Sequence, residues 1–155
     1  QTLTILQMVE GERAGRLIGF LANLDLLDDL GLEFEALNLA GAKLKGLDLQ
    51  GMDFEDSDLG GAELERSKLQ GSDFESSNLS GSDLKGADLR GASFQQASLQ
   101  GAELDHSQLQ GADLRQARGV SVAQLRRACL DGSSLLPPGM TLQQIAPEGC
   151  SGDDD

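Results

Sequence analysis

Residues 52–71 read MDFEDSDLGGAELERSKLQG, and this stretch decides the fold. It divides into four units of five, each centred on an apolar residue: Phe54, Leu59, Leu64 and Leu69. The same phase continues in both directions without an insertion, giving seventeen centres from Phe34 to Leu114. Two residues before each centre stands a small or apolar residue, usually Ala or Ser. Asp, Asn or Glu usually precedes the centre directly, and Gly often follows it by two. A period of five suits neither an ordinary helix nor an ordinary strand.

A longer period lies inside it. Phe occupies the centre at 34, 54, 74 and 94, so every fourth unit is alike and a full circuit takes 20 residues. Four short sides, each pointing one apolar centre inward, make a square coil. We name the sides in chain order: the Phe side, then the second, third and fourth, beginning at Leu39, Leu44 and Leu49. A single coil cannot bury its inward residues, so coils must stack and share backbone hydrogen bonds with their neighbours. At about 4.8 Å per coil the stack is on the order of 20 Å tall.

The pattern resembles the pentapeptide-repeat family, with consensus Ala-Asp/Asn-Leu-X-X, and in particular its cyanobacterial members. The resemblance implies an all-β solenoid, a right-handed quadrilateral β-helix of about four coils over residues 32–118. It supplies no common activity. Most members have no assigned role, and a minority imitate DNA and inhibit type II topoisomerases.

Composition narrows the function classes. Twenty-six acidic residues against 12 basic give a net charge of −14. Such a surface disfavours direct contact with nucleic acid or anionic lipid, which needs clustered Lys and Arg. Without Trp or Tyr there are no aromatic platforms for sugars or bases. No apolar run is long enough for a transmembrane helix, and no cleavable signal sequence is evident. A start at Gln1 rather than Met points to processing or truncation of something longer.

Residues 1–31 read as an N-terminal helical cap, helical from 2 to 30. Leu3, Leu6 and Val9 share one face, and Ala14, Leu17, Ile18 and Leu21 follow at helical spacing after Gly11. The cap would cover an open sheet edge that otherwise invites end-to-end stacking. Leu32, Leu37, Leu47 and Met52, bulky where later coils have Ala or Ser, would meet it. The segment resembles a helical lead-in of cyanobacterial members, some of which follow membrane spans, although Ala14 stands where that lead-in has Lys. This resemblance implies a soluble piece of a longer, membrane-tethered protein.

Residues 119–150 read as a C-terminal helical cap and 151–155 as a disordered tail. Ser121 with Gln124 makes a capping box, and Thr141 with Gln144 starts a second short helix before Pro147. This region resembles the C-terminal caps of several family members, in some of which two Cys are bridged. A bridge between Cys129 and Cys150 would add about 3 kcal/mol and place the protein in a thylakoid lumen or periplasm. Two reduced thiols in a cytoplasmic protein fit equally, and the cytoplasm is the favoured location. With both ends capped, a monomer is expected.

At the corners, Gly41, Gly61, Gly81 and Gly101 follow the second side, and Gly51, Gly71, Gly91 and Gly111 the fourth. The Phe side has Ala36, Asp56, Ser76, Gln96 and Gln116 there, which predicts a different turn without positive φ. Inward Ser57, Ser67, Ser72, Ser77, Ser82 and Ser107 must bond to backbone, since an unpaired buried hydroxyl costs about 1–3 kcal/mol.

Stacking by 20 lets the outer surface be read in columns. Lys45, Glu65, Lys85 and Asp105 alternate in sign on the third side, and Gln50, Gln70, Arg90 and Gln110 form a polar ladder on the fourth. The Phe side differs. Glu33, Asp53, Asp73 and Asp113 share one column, broken by Ser93; Glu35, Glu55 and Glu75 share the next, with Asp56 at the corner. Like charges in adjacent strands destabilise. This face serves as a docking surface for an unidentified, basic protein partner, as a DNA-like decoy for a topoisomerase, as a divalent-cation site, or as a solvated face keeping an edge-rich protein soluble. Lone His106 has no nucleophile or ligand set around it in the repeat, and the glycines form no phosphate loop. The reading is a non-enzymatic structural or protein-interaction module without cofactor or metal; the alternative is a DNA-mimicking topoisomerase inhibitor.

Overall fold

The computed structural model describes residues 9–27, 29, 34–148 and 150. Its core is the square coil that the Phe period predicts. Phe34, Phe54, Phe74 and Phe94 stand in one file, fully buried, with ring centroids 5.7, 5.1 and 5.2 Å apart. The upper two pairs stack within 5° and 8° of parallel, while the Phe34–Phe54 pair tilts by 33°. Buried leucine files on the other three sides complete the interior.

The walls follow from a fixed register. The residue before each centre bridges in parallel to the residue 20 further on: Asn38 to Asp58, Lys43 to Glu63, Asp48 to Lys68, Asp53 to Asp73. On the second side, Asp58 N–H donates to the Leu37 carbonyl (2.8 Å), Leu39 N–H to Asp58 (2.7 Å) and Gly41 N–H to Gly60 (2.9 Å). Inside each coil the centre's carbonyl accepts from the N–H three residues on, as Leu39 does from Ala42 (2.9 Å), which closes the corner as a β-turn.

The corners overturn one expectation. Ala36, Asp56, Ser76 and Gln96 on the Phe side have φ of 54°, 57°, 57° and 58°, the same left-handed turn as the glycine corners, while Gln116 at the last corner stays out of that region as expected. The corner N–H must donate to the next coil, as Asp56 does to Glu75 (3.0 Å) and Ser76 to Gln95 (2.8 Å). That register sets the backbone, and an exposed side chain is tolerated at a cost of about 1–2 kcal/mol per corner. The inward serines behave as the desolvation argument requires. Ser57 Oγ donates to Phe34 O (2.6 Å), Ser67 to Leu64 (2.6 Å), Ser72 to Leu49 (2.9 Å), Ser77 to Phe74 (2.8 Å), Ser82 to Leu79 (2.8 Å) and Ser107 to Leu104 (2.8 Å).

At the N-terminal end, helix α1 spans Glu12–Asn23 and begins directly after Gly11. Leu3, Leu6, Leu30 and Leu32 lie outside the described residues. The helix stops where Asp25 turns to φ 57° and Leu26 N–H returns to Leu21 O (3.0 Å). Its buried face, Ala14, Gly15 and Ile18, lies on the first coil, and Gly11 N–H donates to Asn38 O (2.8 Å). Gly15 is required by the approach: a Cβ there would sit 2.9 Å from Ala42 Cβ. Leu37 is buried, while Leu47 and Met52 are partly buried against the core.

At the other end the sequence period fails after Ala117, yet the ladder runs on. Arg118 bridges to Ser98, Cys129 to Gln108 and Leu135 to Asp113. Between these, helix α2 (Val122–Arg126) replaces one side of a coil. Its capping box is complete, with Ser121 Oγ accepting from Gln124 N–H (3.2 Å) and Gln124 Oε1 accepting from Ser121 N–H (2.9 Å). The Gln124 amide also donates to the Ala102 carbonyl, which a further strand would otherwise have taken, and to the Leu99 carbonyl, which already accepts the turn N–H of Ala102 (both 2.9 Å). Helix α3 (Leu142–Ile145) starts at a second capping box on Thr141 and buries Ile145, whose carbonyl accepts from Arg126 Nε (3.0 Å). Cys129 and Cys150 are disulfide-bonded and tie the segment after α3 to the ladder.

Two measurements test this account. Phe74→Ala should lower stability by about 3–5 kcal/mol in a denaturant titration, because it opens the middle of the aromatic file. Gln96→Gly should raise stability by roughly 1 kcal/mol, relieving a left-handed corner; a loss would mean that corner carries no strain.

Candidate functional site

The residue before each centre has work to do inside the wall. Asp53 Oδ1 accepts the Glu55 N–H (2.9 Å), and Asp73 Oδ1 accepts the Glu75 N–H (2.9 Å). Asn38, Asp58, Asn78, Asp83, Asp88 and Asp113 do the same for the N–H two residues on. Short side chains with an acceptor oxygen are favoured there because they satisfy the amide entering the corner. Asp53 and Asp73 are therefore structural as well as acidic.

On three sides the charges are largely neutralised, though not always up the columns the repeat suggests. Lys45 pairs with Glu65 (3.3 Å) as the alternating column predicts. Lys85 instead turns to Asp83 (3.3 Å) and to Glu103, and Asp105 is taken by Arg127. On the fourth side the polar ladder is replaced by sideways bonds. Gln50 donates to Asp48 (2.8 Å), Gln70 to Asp88, and Arg90 to both oxygens of Asp88 (2.8 and 2.6 Å). A carboxylate one column away is a stronger acceptor than a neutral amide one coil away. Burial alone would push the Asp88 carboxyl up, but the Arg90 hydrogen bonds outweigh it and hold the group below the ordinary range.

The Phe-side corner is the exception. Glu35, Glu55 and Glu75 occupy successive coils, with Asp56 at the left-handed corner beside Glu55. Among the described residues no ion pair reaches Glu35, Asp53, Glu55, Asp56, Asp73 or Glu75. Glu33 lies outside the described residues. Partial burial, then repulsion from Glu75, Asp56, Asp53 and Glu35, raises the Glu55 carboxyl above its usual value. The patch has an upper limit that the acidic columns alone do not reveal. Reading the glutamate column onward gives Gln95 and Arg115, and Arg115 clamps Asp113 at 3.0 and 2.7 Å. Those bonds hold Asp113 below the ordinary carboxylate range, so only the lower coils stay uncompensated.

His106 is exposed at a left-handed corner, its N–H donating to Arg127 O (2.7 Å). No group of metal-ligating side chains forms among the described residues. No described helix is long and apolar enough to cross a membrane.

Comparison with known proteins agrees with the square coil. A family model described as pentapeptide repeats matches residues 38–75 and 77–116. A pentapeptide repeat protein from the thylakoid lumen of Arabidopsis thaliana is 36% identical, over 52% of this chain and 55% of its own, with a TM-score of 0.50. Rfr23 from the cyanobacterium Cyanothece is 27% identical over 61% of this chain and 64% of its own, with a TM-score of 0.32. A Nostoc pentapeptide repeat protein is 27% identical over 80% and 90%, with a TM-score of 0.28. The matched region spans little more than half of the plant protein's length. No curated protein matches the sequence.

The raised Glu55 carboxyl fixes the sign of a pH effect. A folded value above the unfolded one means that its favourable contribution is present at low pH and is lost as pH rises through that value. Glu55→Gln should raise the thermal midpoint at neutral pH and change it little below about pH 4. Added salt should shrink the difference at neutral pH. An equal or lower midpoint at neutral pH would show that the repulsion is not felt.

Proposed function

This chain belongs to the pentapeptide-repeat family, and we propose that it is a non-enzymatic interaction module whose Phe-side corner receives a basic protein partner. The observation that carries this reading is the file of unpaired carboxylates at Glu35, Glu55 and Glu75 with Asp56, clustered on one corner of a rod whose other sides pair most of their charges. A rigid wall holds them one coil apart, so a partner meets preorganised acceptors and little side-chain freedom is lost on binding. Bound cations would also relieve the repulsion within the file, which favours association over a neutral surface. Asp53 and Asp73 extend the same face, each keeping one oxygen for the corner amide, and Glu33 continues their column in the sequence.

The Cys129–Cys150 bridge supports an oxidising compartment as the place of work, since such bonds persist where thiols are not kept reduced. The similar plant protein from a thylakoid lumen is consistent with that setting.

Affinity capture with three immobilised forms tests the docking face: wild type, E35K/E55K/E75K, and E12K/E63K/E103K. The last carries the same change in net charge on other faces. A basic protein held by wild type and by the second variant, but lost from the first, is the expected result. Equal recovery by both variants would reject the acidic corner as the docking face.

A further inference from the structure

We propose that the outward face of α1 is a self-complementary contact through which two copies of this chain pair about a two-fold axis. The helix buries Ala14, Gly15 and Ile18 on the first coil. At about 100° per residue, the opposite face holds Arg13, Arg16 and Phe20, with Leu24 one turn further at the helix end. Phe20 is 60% exposed and Leu24 50%, the two largest exposures among the described large hydrophobic side chains. They are neighbours, and they face directly away from the core.

The order of charges selects a second copy as the occupant. Exposed Arg13 and Arg16 precede the apolar pair, and exposed Asp25 and Asp29 follow it. Among the described residues only Glu12 approaches either arginine as an ion-pair partner, at 3.9 Å from Arg16. An antiparallel pairing centred on Phe20 sets Arg16 of one copy against Leu24 and the adjoining Asp25 of the other. The two-fold axis then repeats each contact. Parallel pairing would instead place arginine on arginine. An open cleft of about 490 Å³, lined by Val9, Glu10, Glu12, Arg13 and Arg16, borders the same half of α1. In the antiparallel arrangement the second copy's Leu24 falls at its edge, which gives the exposed leucine an apolar stem region to cover. The caps cover the open backbone edges, the basis for expecting a monomer, but the outer face of α1 is itself left uncovered. The acidic Phe-side corner takes no part, so the docking reading stands or falls separately.

Sedimentation of the chain over a wide concentration range tests the pairing. Wild type should shift reversibly from one copy to two as concentration rises. F20S/L24S should raise the dissociation constant by roughly tenfold or more, with an unchanged circular dichroism spectrum. R13E/R16E and D25R/D29R should each pair poorly alone, yet form a mixed dimer when combined. A wild type monomeric to its solubility limit overturns the proposal and leaves the patch to residues 1–8 or to a different partner. A dimer insensitive to F20S/L24S, or no mixed dimer, overturns it as well.

Discussion

A backbone hydrogen-bond register of 20 residues governs this structure. Each wall amide that donates to the coil above, and each carbonyl that accepts from it, fixes where the next circuit of chain lies. The rest follows from that spacing. Phe rings meet because they recur once per circuit, and their 5.1–5.2 Å separation in the upper file is close to the strand spacing imposed by the walls. Polar atoms brought inside, such as the serine hydroxyls, are tolerated because turn carbonyls lie within reach.

The same register turns sequence into a surface lattice, where side chains 20 apart have no choice but to be neighbours. On most of the rod this is stabilising or harmless, because cations can reach an Asp in the next column. At the Phe-side corner no cation among the described residues forms an ion pair, and partial burial together with the neighbouring carboxylates raises the Glu55 carboxyl. Not all of that acidity asks for a functional explanation. Asp53 and Asp73 are there because the corner amide needs an acceptor, whereas Glu35, Glu55, Asp56 and Glu75 have no such task in the fold.

A coil stack exposes its backbone at both ends, and the two caps meet that problem differently. At the N-terminal end α1 comes so close that Gly15 leaves no room for a side chain. At the C-terminal end Gln124 closes its own helix cap and its amide donates to the open ladder carbonyl of Ala102 and to the turn carbonyl of Leu99. The irregular segment from Arg118 to Leu135 is thus a continuation of the wall with one side exchanged for a helix, then a return to register.

The amino-acid sequence alone determined the circuit length, the inward files, the serine bonding and the capping boxes at Ser121 and Thr141. All of these depend on local spacing and on the cost of burying unpaired polar groups. It misjudged what depends on long-range register. The Phe-side corners adopt positive φ without glycine because inter-coil hydrogen bonds outweigh a local preference of about 1–2 kcal/mol. Lys85, Gln50 and Gln70 reach sideways because long side chains seek the nearest strong acceptor in three dimensions, and only the tertiary structure says which column that is. The continuation of the ladder to Leu135 likewise had no periodic signature, since it is carried by backbone atoms, which every side chain shares.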